Sequence, residues 1–157
     1  MKYLNDSARA GLLNMYLGVK VYRATATLPA STAGALFTIA DGIVLMTAIY
    51  GEVTVAVGAT DSMKLTANPT TATATDTDLC TAVDMDACDI GDLLSITGTP
   101  GDGMLVSHKG AVQLQTPKGI FLQQGTLDLH CTATTTGSIA WTIFYVPAEE
   151  GANIVVA

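Results

Sequence analysis

The sequence predicts an all-β protein, an antiparallel β-sandwich of jelly-roll-like type, with an N-terminal arm that contains a short helix. Short apolar or alternating runs recur at a spacing of roughly 8–12 residues, which is typical of such folds. Gly, Pro and Asp residues separate these runs, and one segment near the N-terminus has a helical pattern. We expect residues 1–33 to form the arm and its linker, and residues 34–157 to form the sandwich domain.

The arm begins with the helical segment, residues 5–18. Ala8, Leu12 and Tyr16 fall on one face of a helix there, and Gly18 is suited to end it. A helix this short is marginal by itself, so it needs a surface to pack on. The alternating residues 19–27 then predict an extended segment.

Charge separates the arm from the rest of the chain. The first 23 residues carry a net charge of +3, so the overall charge of -7 leaves -10 for the remainder. A basic arm of this kind can contact the acidic face of a neighbouring chain. It can equally fold onto its own acidic body, and the sequence leaves both alternatives open.

The region 34–58 predicts three strands in a meander. Asp41-Gly42 suits a two-residue type I′ hairpin, and Gly51-Glu52 is expected to mark the second reversal. Residues 43–50 are apolar except for Thr47, which predicts a central strand covered on both faces.

The C-terminal third predicts a hairpin that completes the core. Residues 125–134 alternate between apolar and polar side chains, as in a half-buried strand, and residues 138–147 are largely apolar on both faces. Shorter strands are predicted between the meander and this hairpin, at residues 62–67, 79–85, 93–97, 104–106, 111–114 and 119–122.

The three cysteines, Cys80, Cys88 and Cys131, are expected to be small apolar side chains in a reducing compartment. A Cys80–Cys88 disulfide is the alternative. Their spacing does not fit a zinc site.

Catalytic, metal and cofactor sites are not expected. Asp84, Asp86 and Asp89 are in an acidic run that departs from the EF-hand pattern, so a solvated loop is preferred to a calcium site. His108 and His130 have no recognisable nucleophile motif near them and are interpreted as surface residues.

Composition and charge favour protein partners over nucleic acid or a membrane. Charged residues make up 13% of the chain, where about 25% is ordinary, so part of the surface is expected to be covered by other proteins. The net negative charge argues against nucleic-acid binding. No transmembrane segment is apparent, and Arg9 and Asn14 interrupt what would otherwise resemble an export signal.

Three stretches carry a family resemblance: ALFTIADGIVLMTAIYGEVTVAV at 35–57, DLCTAVDMDACDIGDLLSITGTPGDGM at 78–104, and the segment from Gly125 to the end. The chain resembles head decoration (cement) proteins of tailed bacteriophages. The resemblance implies a structural virion protein, made in the host cytoplasm. It would bind the major capsid protein on the capsid exterior, as a homotrimer, and stabilise the lattice. The alternative is a receptor- or glycan-binding β-domain of a phage head or tail fibre.

Under this resemblance the arm supplies the contacts to other chains. Apolar and aromatic side chains would provide affinity, and basic groups would set orientation. Deleting residues 1–23 is then expected to leave a folded body that no longer trimerises or binds capsids. The expected partner-binding residues are Lys2, Tyr3, Leu4, Arg9, Leu12, Leu13, Tyr16, Lys20, Tyr22 and Arg23.

Overall fold

The computed structural model describes residues 6–58, 61–70, 75–86, 88–107, 110–113 and 119–157. Within its helix, the side chains of Asp6, Arg9 and Ala10 are outside the description. The described residues form one helix, α1 (Asp6–Leu17), and twelve strands. The strands are β1 (Val19–Thr27), β2 (Ala33–Ala40), β3 (Val44–Val55), β4 (Ser62–Pro69), β5 (Thr77–Asp78), β6 (Val83–Asp84), β7 (Leu93–Ser95), β8 (Leu105–Ser107), β9 (Ile120–Leu122), β10 (Gly125–Cys131), β11 (Ser138–Pro147) and β12 (Asn153–Val156).

The strands form two antiparallel sheets packed face to face, so the predicted all-β sandwich is confirmed. The first sheet has the order β1-β11-β3-β7-β8, with β9 also paired to β3. The second has the order β12-β2-β10-β4-β5, with β6 also paired to β4. Large apolar side chains from both inner faces fill the space between them, among them Phe37, Met46, Ile49, Leu65, Leu94, Leu127 and Trp141.

The predicted hairpin at Asp41-Gly42 is wrong, although the turn itself has the expected backbone. Asp41 and Gly42 have φ values of 59° and 130°. The chain nevertheless crosses between sheets here, because β2 pairs with β10 and β12 whereas β3 pairs with β11, β7 and β9. The inner faces of β2 and β3 therefore meet across the core. The backbone N–H of Ile43 donates to Oε2 of Glu149 at 3.0 Å, which holds the crossing in place.

The predicted reversal at Gly51-Glu52 is also wrong, because β3 runs without a break for twelve residues. Gly51 is needed for space and not for a turn. A Cβ atom at Gly51 would lie 3.0 Å from the six-membered ring of Trp141 and 3.0 Å from Cγ2 of Ile139.

The third prediction that fails is the C-terminal hairpin. β10 belongs to the second sheet and β11 to the first, so residues 132–137 form another crossing between the layers. The expectation that β11 is covered on both faces is confirmed. Trp141 and Ile143 face the core between the sheets, whereas Phe144 lies on the outer face in contact with α1.

Several short strands differ from prediction. The segment 79–85 has only the two-residue strand β6, because Leu79, Cys80 and Met85 are buried without being part of a ladder. Residues 111–113 are not a strand, and Leu114 is outside the described residues. β12 was not predicted; it pairs with the second half of β2, with Asn153 opposite Ala40.

The predicted extended segment at 19–27 is confirmed, and it is the edge strand of the first sheet. Val19 pairs with Tyr145 and Thr27 with Ser138, with one irregularity between Arg23 and Ala26. Val21 packs against the core. Part of the segment assigned to the arm is thus a strand of the sandwich, since the apolar strand β11 needs a partner on each edge. Truncation at residue 23 would cut through this strand.

Candidate protein-interaction surface

α1 is attached to the outer face of the first sheet by its C-terminal end. Leu17 packs against Ala48 and Phe144, with Tyr50 beside them. The hydroxyl of Thr47 donates a hydrogen bond to the carbonyl of Leu17. These contacts fix the last turn of the helix and cover part of the outer face of β3 and β11.

Gly18 makes this attachment possible. Its backbone N–H donates to the carbonyl of Asn14 at 3.0 Å, and its φ of 91° ends the helix as predicted. A Cβ atom at this position would lie 2.1 Å from the carbonyl oxygen of Tyr145 and 2.9 Å from Cγ2 of Val146. Glycine therefore satisfies both the backbone conformation and the close approach to β11.

The large apolar side chains in the rest of α1 are exposed to solvent. Met15 is 87% exposed and Tyr16 is 77% exposed, and Leu12 and Leu13 are also about half exposed. The predicted helical face that contains Leu12 and Tyr16 does not pack onto the body. A helix that exposes large apolar groups in this way is typical of a surface that another protein covers.

β1, which follows α1 directly, also exposes apolar side chains. Tyr22 is 58% exposed and Val19 is 44% exposed. The Nζ atom of Lys20 is 6.0 Å from the centroid of the Tyr22 ring, at the limit of a cation–π contact. We call the exposed apolar set on these two elements the α1–β1 surface; it consists of Leu12, Leu13, Met15, Tyr16, Val19 and Tyr22.

The predicted partner-binding residues divide into three groups. Leu12, Leu13, Tyr16, Lys20 and Tyr22 are exposed on α1 and β1. Arg23 is half-buried and lines a cleft between the sheets, so it is separated from Tyr22 by the pleat of the strand. Lys2, Tyr3 and Leu4, with the side chain of Arg9, are outside the described residues.

Two members of the α1–β1 surface were missed in the sequence. Met15 is the most exposed large apolar residue of the described chain, and Val19 begins β1. The predicted face was drawn at i, i+4 spacing through Leu12 and Tyr16, and it omitted Met15, although Met15 is three residues after Leu12 and lies on the same side of the helix. The sequence did contain one indication: a short helix with apolar residues on several sides cannot bury all of them against one surface, so some must be exposed.

The outer face of the second sheet is polar by contrast. Lys64 forms an ion pair with Asp78 at 2.7 Å, and the Asn68 amide is 3.4 Å from the buried carboxylate of Asp128. His130 is half-buried and lies opposite Lys64 in the register of β10 and β4. His108 is outside the described residues.

The acidic run uses its carboxylates to shape a loop. Oδ1 of Asp84 accepts a hydrogen bond from the N–H of Asp86, and Oδ2 of Asp92 accepts one from the N–H of Asp89, both at 2.9 Å. Within the described part of the chain, no three His, Cys, Asp or Glu side chains are grouped so that they could hold a metal ion.

The three cysteines are free and buried, as expected of small apolar side chains. Burial raises the pKa of Cys88 to about 11, and the charge of Asp92 adds to this effect. Burial likewise raises the pKa of Cys131 to about 12, and here Asp61 contributes. The pKa of Cys80 is also raised, mainly by burial. These thiols are therefore poor nucleophiles near neutral pH.

An open, mainly apolar pocket of about 480 Å³ lies at one end of the sandwich, between β9 and the turn that follows β4. Its wall includes Leu79, Ile120 and Phe121.

Among the described residues, no helix combines the length and the apolar character needed to cross a membrane. Comparison of the chain with protein-family models, with curated proteins and with solved structures found no match.

Proposed function

We propose that this chain is a structural virion protein that binds the outer surface of an icosahedral phage capsid, contacts the major capsid protein and stabilises the lattice as a homotrimer. The observation that carries the proposal is the α1–β1 surface. Its large apolar side chains are between 44% and 87% exposed, and an exposed apolar surface of this kind is available to neighbouring chains.

The energetics of such a surface suit a decoration protein. Full burial of one large apolar side chain contributes about 1.5–3 kcal/mol, so a few residues of the α1–β1 surface supply useful affinity. A protein that binds the assembled lattice and not its free subunits stabilises that lattice by its binding free energy. Many copies of a modest contact would therefore resist pressure from inside the capsid.

A complementary surface on the neighbouring copy is available in the acidic loop. Ile90 is 71% exposed there, directly after the exposed Asp89, and Asp86 in the same loop is also exposed. This combination of apolar and acidic groups matches the apolar and basic character of the N-terminal arm. A contact between two different surfaces of identical chains can close into a ring, and three copies make the trimer that we propose.

The first test is the oligomeric state of the full chain, measured by size-exclusion chromatography with light scattering. We expect a trimer for the unchanged protein and a monomer for the double variant Tyr16→Ser, Tyr22→Ser. The matched control is Phe121→Ser, because Phe121 is 67% exposed and lies on β9, which is separated from β1 by β3 and β11 in the first sheet. The control should remain trimeric.

The second test is cosedimentation with expanded capsids that lack decoration. Saturable, stoichiometric binding of the full chain and of Phe121→Ser is expected, with loss of binding for the double variant. A shortened chain that begins at Tyr16 keeps Leu17 and all of β1, so it separates the role of the helix from the stability of the sheet. A full chain that is monomeric and does not bind capsids would refute the proposal.

A further inference from the structure

A cleft of about 350 Å³ opens between the edge strand β1 and the start of β2. The residues that matter for its chemistry are Arg23 on one side and Trp141 at its inner wall, with Leu36 and Leu129 beside them. Ala33, Gly34 and Ala35 also line it, and their small side chains leave room for a ligand.

Two buried nitrogen donors belong to residues that line this cleft. The Nε atom of Arg23 and the Nε1 atom of Trp141 are both buried, and neither has a hydrogen-bond partner among the described residues. Trp141 is only 1% exposed. Leaving buried donors unsatisfied costs folding free energy, so an acceptor from outside the chain would be favoured at this place.

The strand register places these two residues side by side. Arg23 of β1 is paired with Trp141 of β11, and both residues line the cleft. On the other side of β11, atoms Cε3 and Cη2 of the Trp141 six-membered ring lie over Gly51 of β3.

Arg23 also has no charged partner among the described residues. The ion pair found among the described residues, Lys64 with Asp78, lies on the second sheet. A guanidinium is planar, stays charged at all ordinary pH values and matches the two oxygens of a carboxylate. Its position next to an indole N–H favours an anionic acceptor over a neutral one.

We propose that this cleft binds a carboxylate group, with Arg23 as the charged donor and the indole N–H of Trp141 as the second donor. Because both nitrogens are shielded in the free cleft, the guanidinium turns toward the incoming oxygens on binding. The carboxylate belongs either to a free small acid or to an acidic side chain of another polypeptide. The inference does not depend on the proposed capsid role, because Arg23 faces the cleft and not the α1–β1 surface.

One part of β2 favours the polypeptide source. β12 pairs with β2 from Ala40 to Phe37, and the N–H of Ala157 donates to the carbonyl of Leu36. Residues 33–35 therefore have one edge without a strand partner in the described part of the chain, directly at the cleft. An extended segment could hydrogen-bond to this edge and present its acidic side chain to Arg23.

The test uses the single tryptophan of the chain as a reporter. In the ¹⁵N-labelled full chain the indole N–H has one resonance, which is followed during titration at constant ionic strength. Acetate is compared with acetamide, and the blocked peptide Ala-Glu-Ala with Ala-Gln-Ala. We expect saturable shifts with acetate and the glutamate peptide only. Tighter binding of the peptide identifies a polypeptide ligand, whereas equal affinities identify a free carboxylate.

Variants decide whether Arg23 is responsible. Arg23→Gln should weaken carboxylate binding by about tenfold or more, because it removes the charge from the hydrogen bonds. Lys20→Gln, on the opposite face of β1, should leave the affinity unchanged. If Arg23→Gln does not fold, Arg23→Lys is the second variant. It keeps the charge but lacks the paired N–H donors of the guanidinium, so it should bind carboxylates more weakly than the parent chain. No saturable shift with either carboxylate, equal shifts with acetamide, or unchanged affinity in the folded Arg23 variant would show that the cleft holds only water.

Discussion

The Oδ1 atom of Asp61 accepts a hydrogen bond from the backbone N–H of Thr132 at 2.9 Å, across 71 residues of sequence. The same oxygen accepts from the N–H of Ala133 at 3.0 Å and from the hydroxyl of Thr132 at 3.3 Å. Asp61 is fully buried. One carboxylate therefore holds the start of β4 to the crossing between β10 and β11.

Replacing Asp61 with Ala should lower the free energy of unfolding by about 2–4 kcal/mol, because it leaves buried backbone donors without an acceptor. Asp61→Asn should cost less, since the amide oxygen can still accept. Urea denaturation followed by circular dichroism measures both. Asp102→Ala is the control, because Asp102 accepts a hydrogen bond from Thr97 in an exposed turn. An equal loss in the control would contradict this account.

Gly51→Ala is expected to destabilise the protein by about 1–3 kcal/mol through overpacking. The added methyl would press on Trp141 and Ile139, which are both buried and have little room to move. Denaturant unfolding of Gly101→Ala provides the comparison, because a Cβ at Gly101 meets nothing within 4 Å. If Gly51→Ala were as stable as the parent chain, the ring would not be as tightly packed against β3 as the geometry requires.

Gly18→Ala should detach α1 from the first sheet or displace the start of β1. The substitution combines an unfavourable φ with a direct overlap on the Tyr145 carbonyl, and about 2 kcal/mol or more is the expected loss in unfolding free energy. Amide hydrogen exchange of β1 and α1 locates the effect. Gly11→Ala in the same helix has free space around its Cβ and should instead increase helix content. Unchanged protection in Gly18→Ala would contradict the prediction.

The buried thiols predict a loss of stability at alkaline pH. An unfolded thiol ionises near its ordinary pKa of 9.0, whereas folding raises the pKa of Cys88 to about 11 and that of Cys131 to about 12. Above the ordinary pKa the unfolded chain thus binds fewer protons than the folded chain, so the unfolding free energy falls as pH rises through this window. Below pH 9.0 the contribution is fully present.

The measurement is the unfolding midpoint in urea at about pH 8 and about pH 10.5, for the parent chain and for Cys131→Ala. The variant is expected to start from a lower stability, because of the cavity, but to lose less of it on going to alkaline pH. Parallel pH profiles would mean that Cys131 does not contribute. Slow labelling of native thiols by iodoacetamide at neutral pH, compared with fast labelling in urea, gives an independent check on their burial.

Local patterns predicted most elements of the fold but not how they pair. The alternation in residues 19–27 and the apolar run in 138–147 identified β1 and β11. Asp41-Gly42 was recognised as a turn with positive φ angles, since this depends on neighbouring residues alone. The same dipeptide cannot show whether the next strand returns beside the previous one or crosses to the other sheet, because both inner faces are apolar in either arrangement.

The candidate surface was predicted in part for the same reason. Leu12, Leu13, Tyr16 and Tyr22 were selected by type and by their place in a basic segment, and all four are exposed. Arg23 was grouped with them, although the pleat of β1 directs it into the cleft beside Trp141. Neither the cleft nor the unpaired donors in it has a sequence signature, because their two residues are far apart in the chain.

The amino-acid order determined the class of the fold, the burial of the cysteines and the apolar character of the N-terminal segment, since each depends on composition and short-range periodicity. Tertiary structure alone decided that β2 and β3 lie in different layers, that Gly51 is needed for the ring of Trp141, and that α1 contacts the body through Leu17 while its other large apolar side chains stay in solvent. The physical reason is that turn and strand propensities act over a few residues, whereas sheet partners are selected by the packing of side chains distant in sequence.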